Sequence, residues 1–504
     1  MDAAQLQILI SQLTGVADEM GSVLRRSAFS PNIKERADCS AALFTPEGEL
    51  LVQAEHIPVH LGSMPASVAA AIAAGIEPGD GQQIVLNDPF AGGTHLNDIT
   101  LVAPCLVEGR LAGWVANRAH HADVGGMAPG SIPPAATTIY QEGLRIPPVV
   151  LTPAIAAIIA TNSRTGAERR ADLDAQVGAN VVGVARLRSL AGAPLGEVVA
   201  YGERRMRAAL AALPDGRWEV ADVLDSVGPG GGPAEIRLAL EISGDEVTFD
   251  FTGSAPQQPG NVNAVGAVTV SAVAWALRSA TDPSIPANGG VMRPVHVVLP
   301  PASVVAAQAP VAVGAGNVEV SQRVADVCLL ALAAAAPERV GAASQGTMNN
   351  VLLGGASGWV YYETIGGGQG GRPGRAGMSG VHTNMTNTSD TPSEALERSY
   401  PMRVLRYRLR HGSGGAGTAP GGEGIERVIQ VLEPATLSLI TERRVHPPWG
   451  LAGGGPGAVG ENWLWPAGDE SCRRRLPDKC TVELAAGDAL QLLTPGGGGW
   501  GRVR

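Results

Sequence analysis

Residues 91–98 read AGGTHLND and run straight into the apolar stretch ITLVAPCLV. His95 and Asp98 stand three apart, behind a Gly-Gly break and at the entrance of a strand. A second polar group, His120-His121-Ala122-Asp123, closes the next apolar run. Imidazole and carboxylate donors suit a first-row divalent ion such as zinc, manganese or iron; calcium, which prefers oxygen alone, suits them less. The same residue types also cap strand ends and bond backbone groups there, so each pair alone is as compatible with a polar hairpin mouth.

Spacing brings the two groups together. The run ITLVAPCLV, the dipeptide Glu108-Gly109 and the run RLAGWVANRAHH read as a hairpin, in which partner numbers sum to about 217 or 218. Asp98 then faces position 119 or 120. Side chains alternate with period two, so an even sum puts His120 on the face of Asp98 and an odd sum puts His121 there. Turn type decides between them, and the spacing leaves both open.

Other constellations are weaker. His56 and His60 in HIPVH have i,i+4 spacing, but Pro58 argues against the helix that a zincin-like pair needs. Neither HExxH nor GxSxG is present. The chain has two lysines, Lys34 and Lys479, and neither follows a phosphate-binding loop. The runs GPGGGP, GGGQGG and TPGGGGWG therefore read as flexible turns, and any nucleotide is expected on another chain. Cys39, Cys105, Cys328, Cys472 and Cys480 lack CxxC spacing and read as reduced thiols. The stretch VHTNMTNTSDTPSEALE could line a pocket, while capping explains Thr391 and Glu394 equally well.

The elements that must position these residues follow from periodicity. A helix is expected from Gln5 to about Arg25, a hairpin over AALFTPEGELLVQA, and a helix behind Ser63 as N-cap. The pattern is helical from about Pro153 to Leu213, then strand-like over RWEVADVL and EIRLALEISGDEVTFDFTG. Apolar helices are expected at 265–280 and 320–336, before a Gly-rich, strand-like C-terminal part. Over 504 residues this describes a multi-domain α+β protein of mixed sheets with packed helices, with soft boundaries giving 1–215 (the metal-site region), 216–400 and 401–504. A net charge of -10 and 4% aromatic residues argue against nucleic acid or an anionic membrane as partner. No apolar run is long enough to span a bilayer, and MDAAQLQILI lacks the basic start of a secretory leader, so a cytoplasmic location is expected.

Longer motifs add a resemblance. SPNIKERADCSAALF, HIPVHLGSMP, LNDPFAGGTHLNDITLV, NRAHHADVGGMAPGS, YYETIGGGQGG, HTNMTNT and the terminal TPGGGGWG resemble, in order and over nearly the whole chain, the hydantoinase B/oxoprolinase family. The resemblance implies the B component of an ATP-dependent cyclic-amide hydrolase opening a hydantoin, 5-oxoproline or lactam ring. An A-type subunit would use ATP to phosphorylate the amide oxygen, in a hetero-oligomer such as A2B2, and this chain would complete the hydrolysis. It also implies a divalent metal held by Asp38, His95, Asp98 and one histidine of AHHAD. His120, the first of the two, is the expected ligand and His121 its rival. Asp123 and Glu363 are the candidates for a nearby base. Two other readings remain open: a subunit of an ATP-dependent ketone carboxylase, whose subunits are usually considerably longer, and a non-catalytic structural subunit of an ATPase complex.

Overall fold

A computed structural model describes residues 1–54 and 57–503; His56 of the HIPVH motif lies outside the described residues. The site region is built on a six-stranded antiparallel sheet in the order β2-β1-β5-β4-β3-β6, comprising β1 (Cys39–Phe44), β2 (Leu50–Ala54), β3 (Ile84–Leu86), β4 (Asp98–Val107), β5 (Arg110–His120) and β6 (Val149–Val150). Alternating polar and apolar residues would suit a sheet with one wet face, but β1 and β2 are buried throughout. One face is covered by the helices Ala3–Ser27 and Gly166–Arg188, whose apolar residues Leu13, Met20 and Leu187 pack on Leu43 and Val115. The helix Ser63–Ala73 and the sheet residues Phe44, Leu86 and Ala116 form a separate cluster.

The expected helical stretch from Pro153 to Leu213 divides into Pro153–Asn162, Gly166–Arg188 and Leu195–Leu210. A second sheet of Gly216–Leu224, Ala234–Ser243, Glu246–Asp250 and Val295–Val298 packs on the apolar helices Gly266–Ala280 and Ser321–Ala335. The largest apolar core runs unbroken past residue 215, taking Met206, Leu210 and Leu213 together with Leu224 and Ile236. Strands from both sides of residue 400 pair in a third sheet, where Asn350–Gly355 joins Ala435–Ile440. A fourth, five-stranded sheet forms the C-terminal end. No helix among the described residues is long and apolar enough to cross a membrane.

Three local expectations are corrected. Ser63 is not the N-cap: Gly62 holds that place, and the Ser63 hydroxyl donates back to the Val59 carbonyl. Pro392 precedes the helix Ser393–Ser399 without a side-chain cap, so Thr391 and Glu394 form no capping box. The runs GGGQGG and TPGGGGWG are packed extended backbone rather than flexible turns. Gly371 N–H donates to the Gly498 carbonyl at 2.8 Å and Gly368 N–H to the Pro495 carbonyl at 3.0 Å. A Cβ at Gly370 would sit 1.8 Å from the Ala342 carbonyl oxygen, so close approach of backbones requires these glycines.

Candidate metal centre

The hairpin expected about Glu108-Gly109 forms, and both turn residues take positive φ, 50° and 75°, as a two-residue turn of this hand requires. Next to the turn the pairing is odd: Val107 faces Arg110 and Leu106 faces Leu111. A bulge at Ala112 then inserts one residue, so that Cys105 faces Gly113 and, at the far end, Asp98 faces His120. On the other side of β5, Cys39 pairs with Ala119, and the His120 N–H donates to the Asp38 carbonyl at 3.0 Å. Asp38, His120 and Asp98 therefore stand in a row across the ends of three adjacent strands.

Loops complete the group. His95 is returned to Asp98 by the turn in which the Asp98 N–H donates to the His95 carbonyl, 3.1 Å. His95 Nε2 lies 3.1 Å from Asp98 Oδ1, and His120 Nδ1 lies 3.2 Å from the same oxygen. The two imidazole nitrogens are 3.2 Å apart. Thr94 donates its hydroxyl to Asp98 Oδ2 at 2.5 Å. Burial opposes ionisation of Asp98, but His95 and hydrogen bonds from His120, His60 and His95 outweigh it and hold the carboxyl well below the usual carboxylate range. Burial likewise disfavours a charged His95, yet Asp98 prevails and raises its pKa.

These donors fit a metal ion on three counts. Ligand atoms of His95, Asp98 and His120 all lie within 4.8 Å of one another. Metal bonds of about 2.1 Å place neighbouring donors roughly 3.0–3.4 Å apart, the spacing seen here. The Asp38 carboxylate, 7% exposed, faces the same cavity and makes no hydrogen bond or ion pair with any described residue. A buried carboxylate without a partner is costly unless a cation joins it. The cavity they line has a volume of about 20 Å³, room for one water or ion.

Three further residues stand at this cavity: His60, weighed in the sequence only as half of a zincin-like pair and set aside, and Asn317 and Tyr362, which sequence reasoning did not single out. His60 sits on a single helical turn, Pro58–His60, with Nδ1 held by the Ser40 hydroxyl at 2.8 Å and Nε2 3.5 Å from Asp98 Oδ2. Its spacing to His56 carried no helical signal, and Ser40, in β1 immediately after the expected ligand segment, was the clue available. Asn317 lies on a π-helical turn, Gly316–Val320, and donates from Nδ2 toward His95 Nε2 at 3.2 Å. Tyr362 stacks on His120 at 4.6 Å between ring centroids and donates its hydroxyl to Asn350 Oδ1 at 2.9 Å.

The remaining expected residues lie elsewhere. His121 turns to the opposite side, bonding Gln176 Oε1 at 2.9 Å, and burial with the help of nearby Arg169 pushes its pKa down to about 4. Asp123 is held by Arg164 at 2.9 Å and accepts from the N–H groups of Gly125 and Gly130, closing a loop. Glu363 pairs with Arg427 at 2.9 Å. Neither carboxylate lines the cavity.

Comparison with known proteins agrees with this architecture. The hydantoinase B/oxoprolinase family model matches residues 2–503. The chain is 39% identical to 5-oxoprolinase 1 of Arabidopsis thaliana over 99% of its own length, but spans only 42% of that protein. It is 30% identical to a protein of Pseudomonas sp. (strain NS671) named as the B component of a D-/L-hydantoinase, covering 99% of this chain and 90% of that one. Among solved structures, ATP-dependent caprolactamase from Pseudomonas jessenii superposes with a TM-score of 0.92 at 30% identity, over 100% of this chain and 91% of the other. Acetone carboxylase shares the fold, with a TM-score of 0.90 at 19% identity over 98% of this chain and 75% of that one. A chain matched from its second residue almost to its last, with a polar row standing where the family motifs converge, belongs to the hydantoinase B/oxoprolinase family.

Proposed function

We propose that this chain is the metal-dependent B component of an ATP-dependent cyclic-amide hydrolase, acting on an intermediate phosphorylated by a separate A-type subunit. The observation that carries the reading is the convergence of His95, Asp98 and His120 on one buried cavity that the Asp38 carboxylate, unpartnered among the described residues, also faces. These four residues would hold the ion. A bound divalent ion supplies Lewis-acid chemistry, acidifying a water and stabilising negative charge on a reacting oxygen.

The chain's own residues supply the rest. Ser40 fixes the His60 ring so that Nε2 points to the Asp98 side of the cavity. Burial lowers the His60 pKa against the pull of Asp98 and favours the neutral ring; with the Nδ1–H given to the Ser40 hydroxyl and Asp98 engaged by the ion, Nε2 would be free to take a proton from water. That gives the base role to His60, because Asp123 and Glu363 are engaged with arginines away from the cavity. Tyr362, Met348 and Val318 close the walls against bulk water. Hydrolysis needs an activated substrate, since an amide is a poor electrophile. The names of the caprolactamase and the hydantoinase component support ATP and a partner as the source of that activation.

Metal analysis of the purified chain, followed by assays of hydantoin, 5-oxoproline and lactams with ATP and an A-type subunit, tests the reading. Expected are stoichiometric metal and ring opening that requires both ATP and the partner. Preparations that never contain metal would refute it. Ring opening at full rate without ATP would remove the division of labour.

A further inference from the structure

The metal cavity, at about 20 Å³, is too small for any ring. A larger polar cleft of about 440 Å³ adjoins it. Thr386 lines both spaces, and Pro58 of the outer one is flanked by Ile57 and Val59 of the inner one. His382, on the outer wall, lies 3.2 Å by Nε2 from the hydroxyl of Thr388, which lines the inner cavity.

The charge of this cleft is unusual for the chain that carries it. Net charge is -10, yet among the described residues the lining holds Arg339 and Arg372, a His382 whose pKa burial lowers to about 4, and no carboxylate. Among the described residues Arg339 pairs only with its exposed neighbour Glu338 at 3.8 Å, a pairing worth little in water. The Arg372 side chain has no hydrogen-bond or ion-pair partner among the described residues. Their two segments lie side by side, because the Ala342 N–H donates to the Gly371 carbonyl at 2.8 Å. In the same cleft the Thr383 hydroxyl is buried without a hydrogen-bond partner among the described residues.

We propose that this outer cleft is a phosphoryl subsite, in which Arg339 and Arg372 grip the phosphate group of the activated substrate and hold its reacting carbon toward the metal cavity past Thr386. Guanidinium groups match a phosphate monoester in both charge and donor geometry. The proposal rests on the reading that the substrate arrives phosphorylated. Its chemistry would equally receive inorganic phosphate, the product.

Inorganic phosphate is the probe, titrated calorimetrically into the metal-loaded chain and into the Arg339→Ala/Arg372→Ala double variant. The expected result is saturable binding by the parent and at least ~10-fold weaker binding by the double variant, with unchanged metal content and circular dichroism. No binding by the parent, or equal binding by both, overturns the proposal. With the A-type subunit and ATP present, the double variant should also lose at least ~10-fold in turnover. If it loses only inhibition by phosphate while turning over at the parent rate, the cleft is a product exit and the proposal fails. Arginine-dependent phosphate binding in a chain that opens no ring would keep the subsite and remove the hydrolase reading, so the two failures are distinguishable.

Discussion

Two buried clusters of ionisable side chains share this molecule, and they are neutralised in different ways. In one, Arg443 meets Asp326 at 2.6 Å and Asp222 at 2.7 Å, while Arg323 and Lys479 meet Glu442 at 3.1 and 2.6 Å. Asp222, Asp326 and Glu442 each face an arginine or a lysine of the chain itself. In the other, Asp98 is surrounded by three imidazoles at 3.1, 3.2 and 3.5 Å, and Asp38 has no hydrogen-bond or ion-pair partner among the described residues. The arginines near that site bond elsewhere: Arg118 to the hydroxyls of Thr100, Ser63 and Ser67, and Arg36 to the Tyr362 carbonyl and Thr364. The first cluster draws its cations from the chain itself and ties the second sheet to the third. The second is still short of a cation, which is the condition a metal site requires.

The strongest way to break this contrast is Asp98→Ala. It removes the carboxylate shared by all three imidazoles, so turnover should fall about 10³-fold or more, as loss of several kcal/mol of charge stabilisation implies. Metal analysis should show the ion gone while circular dichroism stays native. Glu442→Ala should do the reverse: about 3–5 kcal/mol of stability lost in denaturant titration, because Arg323 and Lys479 keep their buried charges, with metal retained by the folded fraction. The histidine pair sharpens the comparison further. His120→Ala should weaken metal binding at least ~100-fold, whereas His121→Ala, on the side of Gln176, should leave it within about twofold.

Acidity should also separate the clusters. His95 has a raised pKa in the metal-free chain, so its contribution to stability is full below about pH 6.5 and fades as pH rises through the raised value. A metal must displace that proton. Affinity should therefore fall about tenfold per pH unit for each displaced proton as pH drops through the histidine range, readable by metal titration at several pH values. The arginine cluster should show no such dependence there. The smallest effect is expected from Tyr362→Phe, which keeps the stack on His120 but leaves Asn350 Oδ1 short of a donor. About 1 kcal/mol of stability should be lost, with metal affinity unchanged.

Much of the site was legible because it is local. His95, Asp98 and the His120-His121 pair belong to one hairpin, and alternating apolar runs with a Glu-Gly turn announce a hairpin plainly. Asp38 became legible through motif resemblance, and the structure then set it at the head of β1, beside His120 on β5. His60, Asn317 and Tyr362 were not legible, since each reaches the cavity from a separate segment whose own pattern serves the core. Of the three glycine runs, GPGGGP forms the expected turn, with open space at Gly230 and Gly232, but GGGQGG and TPGGGGWG misled for a related reason. In sequence they look like freedom, whereas here they are backbones packed too tightly to admit a side chain.

By itself, the sequence determined the donor types, the hairpin that carries most of them and the family whose motifs they complete. Only the tertiary structure decided which histidine faces Asp98. The turn at Glu108-Gly109 starts the ladder in the odd register, which would present His121. The extra residue at Ala112 shifts it to the even one, which presents His120. With a side-chain period of two, one bulged residue reverses the face of everything beyond it, and where a strand accommodates that residue depends on the neighbours it must pair with.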